Sequence, residues 1–182
     1  MGAPVTADIA DSELIARFQN GDEKAATELV LRHTAALARF LAVQGAPDDE
    51  LDDVVQDAFF KAFRGIGGFR GGSSFRTWLL TIGGNVLKDR QRQWKRRHVV
   101  ELMPDVADPS ADPQGDADAA WAAERLQEGL GRLARLQREV FLLRAQQGAE
   151  YPDIAASLGI SEGAARVHYH HAVKRLKAWM QT

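Results

Sequence analysis

The chain has no cysteine. Disulfide bridges, thiolate zinc sites and a cysteine nucleophile are therefore excluded. No apolar run approaches the ~20 residues that a membrane-spanning helix needs. The start, Met1-Gly2-Ala3-Pro4-Val5-Thr6-Ala7, lacks the basic segment and apolar core of a signal peptide and reads as a frayed tail. A soluble, cytoplasmic protein without membrane insertion is the expectation. Period-two alternation of apolar residues, the mark of a half-buried strand, is also missing. There is no nucleophile–base pair, no phosphate-cradling loop and no metal constellation. Asp and Glu cluster without histidine partners, so neither catalysis nor a cofactor is expected. Net charge is small as well: 23 Lys and Arg against 25 Asp and Glu leave −2. Bulk charge does not point to nucleic acid, but its distribution does, because acid collects in two places and base in two others. At 182 residues the chain has room for one domain or two small ones.

One stretch organises the rest. Gly67, Gly68, Gly71 and Gly72 surround Phe69 and Arg70, a loop whose backbone is free to take positive φ. Ser73 or Ser74 can cap the helix that follows. That helix carries Phe75, Trp78, Leu79, Ile82, Val86 and Leu87 on one face. Its other face turns basic through Lys88, Arg90, Arg92, Lys95, Arg96 and Arg97, with Asp89 the single acid. A glycine loop, an amphipathic helix and a basic end suit single-stranded nucleic acid, because the loop offers backbone groups and the cations neutralise phosphates. Taken alone, the stretch reads first as a surface helix with a solvated charged end, the commoner meaning of a charge run.

Three helices should precede it. The first starts near Asp11 with Leu14, Ile15 and Phe18 inward, and Asn20-Gly21 ends it. Asp22 caps the second, about Glu23 to Val43, with Ala26, Leu29, Val30, Leu37, Phe40 and Leu41 inward. The third opens at Asp48 or Asp49 and runs to about Gly65. Its apolar stripe is Leu51, Val54, Val55, Ala58, Phe59, Ala62 and Phe63, with Asp49, Glu50, Asp52, Asp53 and Asp57 on the wet side. Acids in a first turn complement the helix dipole, which explains Asp57 least well. Phe59, Phe60, Phe63, Phe75 and Trp78 could form a base-stacking platform, but helical spacing makes most of them core. Phe69, in the glycine loop, is the exception.

After His98 the composition changes. Pro104 to Asp116 contains no Lys or Arg, and proline recurs, so it cannot bury enough surface to order itself. Residues 1–8 read as a disordered tail, 9–98 as one domain, 99–118 as a flexible acidic linker and 119–182 as a second domain. In the last, Trp121, Leu126, Leu130, Leu133 and Leu136 suggest one helix, and Gln137 to Leu143 begins another that ends by Gly148. Then Ala155 is small where two helices approach closely, Gly159 supplies a tight turn, Ile160 anchors it and Ser161 caps the next helix. This is a helix-turn-helix. In its second helix Ala165, Tyr169, Ala172 and Leu176 face inward. Arg166, Val167, His170, His171, Lys174 and Arg175 face outward as candidates for the major groove and its phosphates, with His168 at the border. His168, His170 and His171 make no metal site: only His168 and His171 share a face, and no carboxylate or cysteine completes one.

Two motif regions in this order, Asp53-Val54-Val55-Gln56-Asp57-Ala58-Phe59 followed by the Phe69–Leu80 stretch and then the helix-turn-helix, resemble a bacterial sigma factor of the group IV, extracytoplasmic-function type. The resemblance runs from about Asp11 to Trp179 outside the linker. It implies an all-α fold of two small helical domains, the region 2 bundle and the region 4 helix-turn-helix, joined by the acidic linker. It implies a transcription initiation factor, with Asp53, Gln56 and Asp57 meeting the clamp helices of the largest subunit of core RNA polymerase. It places −10 promoter recognition in the loop and helix that hold Phe69, Arg70, Ser73, Ser74, Arg76, Asn85, Lys88 and Arg92, and −35 recognition on Arg166, Val167, His170, His171, Lys174 and Arg175. It implies promoter DNA and an anti-sigma factor as partners and threads the linker along the polymerase's RNA-exit path. The sequence departs from the family at Ala164-Ala165, where Thr-Val is usual, at Val167, His168 and His171, and at Glu150, where a serine cap is usual. The changes leave the fold expected and the base preference open.

Two other readings stand beside this one: a stand-alone helix-turn-helix repressor or activator, and an interaction protein whose basic helix meets an acidic partner. Promoter-specific initiation by core polymerase with and without the chain separates all three.

Overall fold

The computed structural model describes residues 10–100 and 117–181, without the side chains at 95, 97–100 and 117–123. The tail at 1–8 and the acidic stretch Pro104–Asp116 lie outside the described residues. Among those described the fold is all-α, with eight α-helices and no strand. No helix among them is long and apolar enough to cross a membrane.

The first domain is a bundle of α1 (Asp11–Gln19), α2 (Glu23–Val43), α3 (Leu51–Gly65) and α4 (Phe75–Val100). Gly21, at φ 93°, makes the turn from α1 to α2. Asp22 staples that turn. Its Oδ2 accepts from Arg17 Nε at 2.9 Å and Nη2 at 2.6 Å, and its Oδ1 accepts from the Lys24 N–H at 3.1 Å. The Arg17 hydrogen bond holds the Asp22 carboxyl below its ordinary pKa. α3 starts later than the acidic run suggests. Pro47 to Glu50 forms a turn closed by the Glu50 N–H to the Pro47 carbonyl at 3.1 Å, and helical bonding begins only at Leu51. In α2 the buried set includes Ala25 rather than Ala26, and adds His33 and Ala36. His33 is 8% exposed because Asp11 reaches its Nε2 at 2.7 Å from α1.

The second domain contains α5 (Ala117–Gly131), α6 (Arg135–Phe141), α7 (Tyr151–Leu158) and α8 (Glu162–Met180). Leu133 and Leu136 do not continue α5: the chain turns after Gly131 and restarts at Arg135. Arg138 explains the break. It donates to the carbonyls of Leu130 at 2.7 Å, Gly131 at 2.9 Å and Leu133 at 3.4 Å, which satisfies the free end of α5. Burial there pushes the Arg138 guanidinium pKa down. Beyond Phe141 the helix widens into a π-helical turn over Leu142–Gln146 and ends at Gly148, φ 68°.

α4 crosses the bundle over Leu37, Leu41 and Ala58. A Cβ added at Gly83 would stand 2.6 Å from Leu37 Cδ1, closer than carbons approach. At the neighbouring Gly84 a Cβ would meet nothing closer than 3.7 Å. Two thermal melts check this difference. Gly84→Ala should gain up to ~1 kcal/mol from helix propensity. Gly83→Val should cost about 2–3 kcal/mol, because the overpacked contact has no free side to relax into.

Candidate nucleic-acid interface

The glycine loop rests on an aromatic platform. Gly71 turns it at φ 69°. Of the two serines, Ser74 caps α4: its Oγ accepts the Thr77 N–H at 3.1 Å and lies 2.9 Å from the buried Thr77 Oγ1. Ser73 is half-buried, with its Oγ donating to the Ser74 carbonyl at 3.3 Å. Phe69 is half-buried too. Its ring lies 5.0 Å from Trp78 and meets Phe75 edge-on at 6.1 Å, an arrangement that favours aromatic pairs. His33 packs against the same Phe75 at 5.3 Å, so the Asp11–His33 pair supports the platform from below. Arg70, Asn85 and Arg92 are exposed, and Lys88 is half-buried. Asn85, Lys88 and Arg92 follow at spacings of three and four, one stripe along α4.

Part of this surface is met by the second domain. Arg76 Nη2 donates to Gln147 Oε1 at 2.6 Å, the Ser74 N–H to Asp153 Oδ2 at 3.3 Å, and Arg135 Nη2 to Asn85 Oδ1 at 3.2 Å. Lys88 lines a cavity of about 190 Å³ with Gln44, Gln91, Arg135, Arg138 and Glu139.

The helix-turn-helix forms around the residues that signal it. Gly159 takes φ 66°, Ala155 is buried, and Ser161 Oγ accepts the Ala164 N–H at 3.1 Å. Pro152 stands in the first turn of α7. Glu150 does not cap α7 but pairs with Arg144 at 3.0 Å, which raises the Arg144 pKa. Ala165, Ala172 and Leu176 are buried, and Arg166, Val167, His170, His171, Lys174 and Arg175 all lie on the exposed face. Arg166 pairs with Glu162 and lies 4.5 Å over the Tyr151 ring, which pre-orients its guanidinium. Among the described residues no group of three or more His, Asp and Glu is arranged to hold a metal.

On α3, Asp53 and Gln56 are exposed, but Asp57 is engaged. Arg90 takes its Oδ2 by Nε at 3.1 Å and by Nη2 at 2.7 Å, and reaches Glu50 Oε2 by Nη1 at 2.9 Å. The Asp57 hydrogen bond raises the Arg90 pKa. Arg90 is therefore a tie between α3 and α4, where the run of basic residues had placed it on an open cationic face. Phe60 departs from expectation in the opposite sense. It is 60% exposed, seven residues beyond Asp53 and four beyond Gln56, with Arg64 5.5 Å above its ring. Its position on that stripe was readable from the spacing, but an adjacent buried Phe59 obscured it.

Residues 29–97 match the sigma-70 region 2 family, and residues 123–176 match sigma-70 region 4. The chain is 34% identical over 178 residues to the RNA polymerase sigma factor CnrH of Cupriavidus metallidurans, covering 93% of each chain. It is 34% identical to the ECF sigma factor SigM of Mycobacterium tuberculosis, over 92% of this chain and 83% of that one. The fold matches CnrH in complex with the cytosolic domain of CnrY at a TM-score of 0.72, with 31% identity over 95% of this chain and 98% of that one. It also matches the RpoE–NepR complex of Bartonella quintana at 0.66, with 25% identity over 86% and 96%. The bundle with its glycine loop and the helix-turn-helix are thus the two sigma regions in order, and the chain belongs to the sigma-70 family of transcription initiation factors, in its extracytoplasmic-function group.

Proposed function

We propose that the chain binds core RNA polymerase through α3, captures the opened −10 strand at the Phe69–Ser74 loop and α4, and reads the −35 duplex with α8. The carrying observation is the pairing, in one chain, of a glycine loop on an aromatic platform with a helix-turn-helix whose predicted reading residues are all exposed. The site of action is the cytoplasm, where polymerase is. Capture follows from simple chemistry. A base in a duplex hides its Watson–Crick edge, so reading that edge requires extrusion, which a pocket must offset with stacking and hydrogen bonds. Phe69, the two serines and close-approaching glycine backbone supply these, while Asn85, Lys88 and Arg92 hold phosphates. The related CnrH and RpoE were each solved with a protein partner, CnrY and the anti-sigma factor NepR. An anti-sigma factor is accordingly part of the proposal. The decisive assay is promoter-specific initiation by core polymerase, present with the chain and absent without it.

On the polymerase side, Asp53, Gln56 and Asp57 face basic clamp residues, and exposed Phe60 supplies an apolar anchor between them. Asp53 forms no ion pair among the described residues, so Asp53→Lys tests charge without disturbing the bundle. It should weaken core binding on the order of a hundredfold, as like charges facing at an interface cost several kcal/mol. Phe60→Ala should cost at least ~2 kcal/mol if it is a central aromatic contact. Asp57→Lys should weaken core binding and also lower the melting temperature, because it breaks the tie to Arg90. Pull-down of core at parental strength by Asp53→Lys and Phe60→Ala would move the interface off this stripe.

On the DNA side, Arg166→Ala should change which −35 sequences are accepted, at roughly 1–3 kcal/mol for a two-pronged base contact. Lys174→Ala should weaken all sequences alike and flatten the salt dependence. If both variants lower affinity uniformly, Arg166 contacts only the backbone. Replacing Phe69–Ser74 with a relative's loop should transfer −10 preference and leave −35 preference alone. An unchanged −10 preference would make the loop scaffold.

A further inference from the structure

Asp11 opens α1, yet its carboxylate does not serve its own helix. Acids in a first turn ordinarily complement the helix dipole or cap free N–H groups, but no side-chain hydrogen bond caps α1 among the described residues. Both carboxylate oxygens reach across to α2 instead. Oδ2 lies 2.7 Å from His33 Nε2, and Oδ1 accepts from Arg32 Nη1 at 3.5 Å. His33 stands on the buried face of α2, which is otherwise apolar through Ala25, Leu29, Ala36, Leu37, Phe40 and Leu41. A Leu or Phe would bury there without needing a partner, whereas an imidazole without one would cost stability. The pairing gives the ring something an apolar side chain lacks. Hydrogen bonds are directional, so an imidazole held by a carboxylate keeps one orientation.

What rests on that ring makes its orientation matter. The imidazole meets Phe75 at 5.3 Å between ring centroids, with the planes inclined by 60°. Phe75, 3% exposed, is the first residue of α4 and meets Phe69 edge-on at 6.1 Å. Trp78 closes the group, 5.0 Å from Phe69 and 5.9 Å from Phe75. A carboxylate of α1, an imidazole of α2 and a ring of α4 thus stand in series beneath the one aromatic side chain of the glycine loop. Edge-on and tilted contacts favour particular ring angles, so each ring in the series constrains the next.

The geometry points to Asp11 and His33 as positioning residues for base capture: the carboxylate fixes the imidazole, the imidazole fixes Phe75, and Phe75 fixes the tilt at which Phe69 receives a base. This rests on the strand-capture reading of the loop. His33 is buried under Phe75, so its effect passes through the platform and not through contact with the strand. A flipped base is held by stacking and hydrogen bonds, and stacking requires the receiving ring to present its face. Loosening that ring from below lowers what the base contributes. It leaves the phosphate contacts of Asn85, Lys88 and Arg92 as they are.

The test reads base and phosphates separately. Holoenzyme is bound to a fork made from a promoter that the parent uses. The non-template −10 strand of the fork is single, either whole or with one abasic site moved along it. For the parent, an abasic site at the captured position should lower affinity on the order of tenfold. Asp11→Ala should shrink that ratio by about threefold, the worth of one aromatic contact. Affinity for the abasic fork should stay at the parental value, which also reports a folded chain seated on core. Asp11→Asn keeps an oxygen for the Nε2–H and should restore the ratio. His33→Gln is the second arm: it keeps an N–H for Asp11 but removes the ring from Phe75, and should lower the ratio as Asp11→Ala does. A role in stability alone would weaken both forks alike and leave the ratio at its parental value. That result in either arm, or an Asp11→Asn chain that fails to recover the ratio, would overturn the inference. Strand capture fails in a different way. A parent that binds whole and abasic forks alike at every position, or a Phe69→Ala chain that keeps the parental ratio, would overturn capture at the loop itself.

Discussion

The crossing of α4 over α2 at Gly83 is the contact on which the rest depends. With no side chain at that residue, the backbone of α4 comes down onto Leu37, with Leu41 and Ala58 beside it. Leu79, Leu80, Val86 and Leu87 are then carried into the core of the first domain. The N-terminus of α4 is thereby fixed beside Phe75 and Trp78, which position Phe69 and the glycine loop. Arg90, nearly two turns past the crossing, ties the same helix to α3 through Asp57 and Glu50. One helix thus sets the geometry of both the glycine loop and the exposed stripe of α3. A change in its tilt would disturb the two together.

Most of the fold was legible because it rests on local signals. The apolar stripe of α3, the turn at Gly21, the Asp22 cap and the Ala155–Gly159–Ile160–Ser161 turn each involve residues within a few positions of one another. What was not legible depends on groups far apart in sequence. Nothing near Arg90 announces that Asp57, 33 residues away, will accept two hydrogen bonds from it. The burial of His33 depends on Asp11, 22 positions earlier, in another helix. Leu126, Leu130, Leu133 and Leu136 have helical spacing, yet the helix stops at Gly131, because Arg138 from the next element satisfies its carbonyls better than another turn would. Within the candidate site, the outward face of α8 was readable from period alone. Which of the residues along α4 the second domain engages was not.

The charge pattern takes on meaning in this light. A net charge of −2 conceals a basic stripe on α4, a basic outward face on α8 and acid on α3. Acid and amide groups of the second domain, Asp153 and Gln147, meet donors of the first, Ser74 and Arg76. Such contacts form where either partner would otherwise bind water, so the net gain from each is modest. The buried apolar residues of the two halves form one contiguous cluster, and the hydrogen bonds of the seam lie beside it.

This division of labour also bears on why polar groups remain buried at the seam. Glu139 is 7% exposed, and its Oε1 accepts from Arg135 at 2.7 Å, but its Oε2 has no partner among the described residues; Gln44 Nε2, on the other side of the same cavity, also lacks one among them. Leaving buried polar atoms unpaired costs stability in the closed arrangement. A single rigid domain would gain by filling the cavity with apolar side chains. The unpaired atoms therefore lower the net stability of this arrangement, and they line the same cavity as Lys88.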